Sequence, residues 1–245
     1  MDQVKNGDRN LDEDVNNYTC ADAYLRKMDE DEKMGDETSF SIENLVVNLE
    51  DLWTAGQETT TSTLTWALAL LLNSPEYIEN IHQEVVNVTN GERQLGLMDK
   101  AATPILNATV QEALRFASVL NLNLFRKTER EQVIEGYRIP ADVPIAAQIS
   151  VIMTEDTVFG DSDKFDLSRY LIDDSVANNV CAFGMGKRSC LGEALARAEL
   201  YLILGNLLLN FDLKPHGRLP DTTAVNDAGL FKGAPHCECF FIPRK

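Results

Sequence analysis

The feature that most narrows what this chain can fold into is a helical pattern of unusual length. Ser41 offers a hydroxyl cap, and Leu45, Val46, Leu49, Leu52 and Trp53 then recur at helical spacing. The pattern ends at Asn73-Ser74-Pro75, which also starts a second helix, with Ser74 as N-cap and Pro75 at the first position. A helix over 42–72 spans about 46 Å, longer than an average globular helix. Its longest apolar run, Leu64 to Leu72 with Thr65 inside it, falls far short of the roughly 20 residues a membrane-spanning helix needs. Its middle is odd: Gly56 and Gln57-Glu58-Thr59-Thr60 interrupt apolar turns, and Gly and Thr weaken a helix, so something must compensate there.

Composition excludes several classes. At 44% hydrophobic and 25% charged, the 245 residues can bury a sizeable core. A formal charge of -17 argues against nucleic acid, whose backbone needs a basic stripe. The start, Met1-Asp2-Gln3-Val4-Lys5-Asn6, has no apolar core behind a basic lead, so the chain as given is expected to be soluble and intracellular, without an anchor. Five scattered cysteines, with only Cys237 and Cys239 close together, suit a reducing compartment with free thiols. Residues 1–38, with Asn6-Gly7 and the acidic run Asp29-Glu30-Asp31-Glu32, read as an acidic, largely mobile N-terminal segment holding one short helix, Tyr18 to Met28. Residues 39–245 read as the folded part.

Thr103-Pro104 repeats the cap-then-proline signal and opens a helix to about Ala117. Short β-like pieces follow at Leu124 to Thr128, Val133-Ile134, Tyr137 to Ile139 and Pro144 to Ala147. Residues 154–189 look irregular, which in a compact domain points to function. Leu191 to Asn210 is helical with apolar positions on nearly every face, and Cys239 to Ile242 reads as a closing strand. The fold class expected is mainly α with a small mixed β-sheet.

The sharpest chemical feature is Phe183-Gly184-Met185-Gly186-Lys187-Arg188-Ser189-Cys190-Leu191-Gly192. A single Cys sits where a glycine-rich loop meets a helix, whose free N–H groups and dipole favour thiolate. The glycines let backbone approach something flat, and Arg188 is a fixed cation suited to a carboxylate. His82, His216 and His236 share no ligand spacing, and Cys181 reads as a small packed hydrophobe.

Phe183-x-x-Gly186-x-Arg188-x-Cys190-x-Gly192 resembles the heme-binding loop of the cytochrome P-450 superfamily, the heme-thiolate monooxygenases. The resemblance implies heme (iron protoporphyrin IX) as cofactor and Cys190 as the axial thiolate, the metal ligand, favouring O–O cleavage. It places Phe183 near the sulfur and Arg188 on a heme propionate. Three further matches follow the family's order. Ala55-Gly56-Gln57-Glu58-Thr59-Thr60 resembles the oxygen-activation motif, with Glu58 and Thr59 relaying protons to bound O2; a kinked helix with Thr hydroxyls bonded back is the bland alternative. Glu112-Ala113-Leu114-Arg115 resembles the Glu-x-x-Arg motif, and Arg169, in Phe165 to Tyr170, would complete a buried structural triad, with Leu167 where the family commonly has Pro. Arg126 resembles the basic residue that reaches the second propionate; an exposed strand arginine is the equal alternative. Ser118 to Asn123 and Gly229 to Lys232 fall where the family contacts substrate.

The resemblance covers roughly 20–245, looks most like a eukaryotic microsomal member, and corresponds to the heme-proximal C-terminal half of the family's fold, a fragment of it. It implies a monooxygenase inserting one oxygen atom from O2 into an apolar small-molecule substrate, with electrons from an NADPH-dependent reductase. Full-length microsomal relatives sit in the endoplasmic-reticulum membrane. The competing expectation is a catalytically inactive truncated product that binds heme weakly or not at all.

Overall fold

The computed structural model describes residues 19–35, 38–223 and 229–244. Of the segment 1–38 expected to be mobile, residues 1–18 with Asn6-Gly7, and residues 36–37, lie outside the described residues. The chain divides into two compact units, Met1–Gln57 and Glu58–Lys245.

In the first unit, α1 (Cys20–Met34) runs six residues beyond the expected end at Met28. A reciprocal capping box starts it: the Asp22 amide donates to Thr19 Oγ1 at 3.2 Å and the Thr19 amide to Asp22 Oδ2 at 2.9 Å. The acidic run is helical because Arg26–Glu30, Lys27–Asp31 and Lys33–Asp29 pair across one turn. The Tyr24 and Phe40 rings lie 4.7 Å apart, and the Ser41 amide donates to the Tyr24 hydroxyl, tying the helix to the start of the next. That helix, α2 (Ile42–Leu72), has the expected bounds, and Ser41 Oγ caps it by accepting the Asn44 amide at 3.1 Å.

The second unit takes the rest of α2, then α3 (Pro75–Thr89), a 3₁₀ turn at Leu97–Ala102, and α4 (Pro104–Ala117). A hairpin follows, β1 (Gln132–Ile134) against β2 (Tyr137–Ile139), turned through Glu135 and Gly136, both at positive φ. Next come the short helices α5 (Ile149–Met153), α6 (Asp156–Phe159) and α7 (Ser168–Ile172), with 3₁₀ turns at Asp174–Asn179 and Gly186–Arg188. The chain ends with α8 (Glu193–Asn210), β3 (Phe211–Pro215) and β4 (Cys239–Pro243). The fold is mainly α, as expected, and the strands among the described residues form two separate antiparallel pairs, β1–β2 and β3–β4. The pieces at Leu124 to Thr128 and Pro144 to Ala147 meet only through a bridge between Arg126 and Ile145.

The core is the seam where α3, α4 and α8 pack on the end of α2. Leu71, Ile81, Leu106, Leu200, Leu204 and Leu208 are sealed in it. Full burial of α8 begins at Leu200: Leu191, just ahead of the helix, and Leu195 on its first turn are exposed. Pro75 and Pro104 take the first helical positions as expected, but Ser74 and Thr103, at ψ of 65° and 63°, make no side-chain cap. The amides of Ile105 and Leu106 donate instead to the Glu84 carboxylate of α3, at 2.8 and 2.9 Å, while the Thr103 hydroxyl meets Tyr201 Oη at 2.7 Å. A cap supplied from a neighbouring helix leaves no local sequence pattern. Among the described residues no helix is long and apolar enough to cross a membrane.

The 3₁₀ turn ahead of α4 hangs on one ion pair. Arg93 donates to both Asp99 carboxylate oxygens at 2.7 Å, and the Gly96 amide adds a bond at 2.9 Å. These bonds, Arg93 first, hold the Asp99 carboxyl down at about 2 against an ordinary 3.8. A depressed carboxylate stabilises the fold above its unfolded value and loses that contribution as pH falls through the folded one. The advantage of the native chain over Asp99→Asn should therefore be constant above about pH 4 and shrink between pH 4 and 2, read by denaturant melts across that range.

Candidate active site

The site is built on the C-terminal half of α4. Residues three apart share a helical face, and here that face is buried: Glu112 is 0% and Arg115 1% exposed. Arg115 donates from Nε to Glu112 Oε2 and from Nη2 to Glu112 Oε1, both at 2.8 Å. Its Nη1 donates to the Met153 carbonyl at 2.9 Å, and its guanidinium lies 5.3 Å from the Phe159 ring centre. Arg169 Nε reaches Glu112 Oε1 at 3.3 Å and ties the same carboxylate to the Gly160 and Asp161 carbonyls. The three residues named from sequence therefore meet, despite Leu167, which is fully buried.

Two partners were not legible. The Tyr170 hydroxyl donates to Glu112 Oε2 at 2.9 Å, and the Asp166 amide to Oε1 at 3.1 Å, so the carboxylate accepts five hydrogen bonds. Tyr170 directly follows Arg169, but nothing local signals that its hydroxyl reaches back 58 residues. Burial, then the Glu112 charge, push the Tyr170 phenol far above its ordinary value, so it stays a donor. Burial pulls Arg115 down, but the hydrogen bonds and charge of Glu112 outweigh it and the net direction is up.

The cysteine loop leaves this anchor through Val180 and Cys181, both in the core, where burial raises the Cys181 thiol. The Gly184 amide then donates to Cys181 O at 2.9 Å, Ser189 to Gly186 O at 3.0 Å and Cys190 to Phe183 O at 2.8 Å. Gly184 and Gly186 sit at φ of 71° and 77°, and a Cβ on Gly184 would lie 3.2 Å from Asn123 Nδ2, so both turns need glycine. Cys190 is exposed and precedes Gly192, the residue that opens α8. Arg188 is exposed, and among the described residues its side chain makes no hydrogen bond or ion pair. Arg126 is also exposed, its Nη1 fastened to the Leu124 and Phe125 carbonyls.

Glu58 accepts the Ser62 hydroxyl at 3.4 Å one turn along α2, and the Thr59 carbonyl accepts the Thr63 hydroxyl at 2.8 Å. The threonines whose hydroxyls bond back one turn are Thr63 and Thr65, beyond the motif 55–60. The two segments placed near substrate by position alone lie side by side. Asn121 donates to Leu230 O at 2.9 Å and Lys232 to Val119 O at 2.8 Å, around a bridge between Leu120 and Phe231.

The donor set fits heme. No group of three or more His, Cys, Asp or Glu side chains among the described residues is arranged for a bare metal ion. An iron whose other donors come from a macrocycle would need only one protein ligand, which a thiolate can supply, with glycine backbone able to lie close to a flat ring and cations for its carboxylate tails. The loop presents Cys190, Gly184 and Gly186, and Arg188 in that combination.

Comparison with known proteins gives the same direction. The family model described as Cytochrome P450 matches residues 2–235. A Caenorhabditis elegans protein named probable cytochrome P450 cyp-35D1 is 39% identical over 207 residues, 83% of this chain and 42% of the relative. Cytochrome P450 2C70 of Mus musculus is 35% identical over 226 residues, 91% of this chain and 46% of the relative. The chain thus spans a little under half the length of these relatives. A solved zebra fish cytochrome P450 structure with progesterone superposes with a TM-score of 0.72 at 25% identity, over 79% of this chain and 45% of that one.

Removing the carboxylate while leaving its donors is the sharpest test of the anchor. Glu112→Ala strands a buried guanidinium and should cost about 3–5 kcal/mol in denaturant unfolding. Arg169→Ala, on the more exposed side, should cost about 1–3 kcal/mol. A Glu112→Ala loss below about 1 kcal/mol would show that the cluster does not hold the fold.

Proposed function

The chain belongs to the cytochrome P450 family, and on that footing we propose that it is the heme-thiolate half of a monooxygenase that inserts one oxygen atom from O2 into an apolar small molecule. The observation that carries the reading is the cysteine loop: one exposed thiol beside an unpaired-in-structure cation, on glycines held at positive φ and hung from a buried charge cluster. Heme would supply the redox-active iron for the chemistry of O2. The protein's own part would be to bind and orient: Cys190 Sγ as the thiolate that holds the iron, Phe183 and Gly186 beside it, Gly192 opening the helix behind it, and Arg188 and Arg126 for the propionates. Glu58 and Thr59 would hold and pass protons, the carboxylate exchanging with water and the hydroxyl delivering from Oγ1. Electrons would come from an NADPH-dependent reductase, and the setting would be the endoplasmic-reticulum membrane, as for microsomal family members.

A second reading, a chain that holds heme weakly and does not turn over, draws on the exposure around the thiol. Met185 is 78% and Leu191 92% exposed, and oxygen chemistry needs water excluded from the site.

One pair of measurements separates them. The purified chain, reduced and reconstituted with heme under carbon monoxide, should give a red-shifted Soret band that Cys190→Ser abolishes. An unchanged band in Cys190→Ser overturns the axial assignment, and no specific band in the native chain favours the second reading. If the band is present, Thr59→Ala should cut coupled substrate oxidation about a hundredfold and raise peroxide release. Unchanged coupling removes Thr59 from the relay.

A further inference from the structure

We infer that Arg197 is the positioning residue of the cysteine loop, coupling Phe183 to the helix that carries the buried charge anchor. Its spectroscopic consequence rests on the heme-thiolate reading above; its effect on the loop rests on this chain's own contacts.

Arg197 lies on the second turn of α8, with its side chain 21% exposed. Its Nε donates to Glu193 Oε1 at 2.8 Å, and its Nη1 to Gln111 Oε1 on α4 at 2.9 Å. Its guanidinium carbon stands 5.0 Å from the centre of the Phe183 ring. One planar cation thus touches three elements: the first turn of its own helix, the anchor helix and the loop. A lysine, a single point charge, cannot make both bonds of the fork and face the ring as well.

The two ends of this coupling differ in rigidity. Gln111 precedes Glu112, whose carboxylate is fixed by five donors. The loop end is loose by comparison, since 185–191 are exposed, and Phe183 is only partly buried against the core. Phe183 matters because its carbonyl accepts the Cys190 amide at 2.8 Å. A shift of the Phe183 ring therefore reaches the cysteine through one residue's covalent frame and one hydrogen bond. Arg197 touches no reacting atom; it sets where the backbone of Cys190 lies.

The experiment uses the full chain without heme first. Amide exchange at Cys190 should speed up about tenfold in Arg197→Leu and in Gln111→Leu, because each removes a charge-assisted bond. Exchange at Ile81 and Val85 in α3 should not change. Gln111→Glu, which keeps an acceptor for Nη1, should restore native exchange, and Arg197→Lys should fall between. With heme, Arg197→Leu should lower the fraction of the thiolate-type carbon monoxide band. Equal acceleration at Cys190, Ile81 and Val85, or no change at Cys190, overturns the inference. If the native chain shows no thiolate-type band, the heme reading falls, and amide exchange still decides the role of Arg197.

Discussion

The stretch that leads to the cysteine loop depends on one buried carboxylate. Glu112 has no access to water, so its charge is tolerable only while five donors surround it. Those donors come from its own helix and from Asp166, Arg169 and Tyr170 at the start of α7, so meeting that demand fixes where this segment must run. Arg115 extends the constraint to the Met153 and Lys164 carbonyls, and Arg169 to those of Gly160 and Asp161. A run of short helices and turns is thereby held in place, and the cysteine loop follows it after the 3₁₀ turn Asp174–Asn179.

The loop contrasts with its support. The anchor is dry and over-bonded, while Cys190, Arg188, Met185 and Leu191 are exposed. A reactive thiol and a cation cannot be sealed in the core without losing reach to a ligand, so they are carried on a turn and positioned from below. Phe183, half-buried between core and loop, is where the two regimes meet.

The legibility of the sequence followed range. The bounds of α2 and α4 and the strand Tyr137–Ile139 were readable because caps, prolines and periodicity act within a few residues. The end of α1 was misplaced because its acidic run reads as solvated chain until the i,i+4 pairing of Arg26, Lys27 and Lys33 is counted. Ser74 and Thr103 marked helix starts correctly for the wrong reason, since neither hydroxyl caps its helix and Glu84 serves α4 from 21 residues away. The family resemblance named Glu112, Arg115 and Arg169 but was silent on Tyr170, Gln111 and Arg197, whose partners lie far along the chain.

The sequence by itself determined the long helices α2, α4 and α8, the cysteine loop and the family. Those depend on residue type and short spacing, which a linear string preserves. Only the tertiary structure decided that the Glu112 pair is buried rather than a surface pair of little weight, and that its carboxylate takes a phenol and an amide as well. It also decided that 119–121 and 230–232 lie edge to edge, and that one arginine of α8 spans from Gln111 to Phe183. Burial and long-range hydrogen bonds are properties of how the whole chain packs, so no local pattern encodes them.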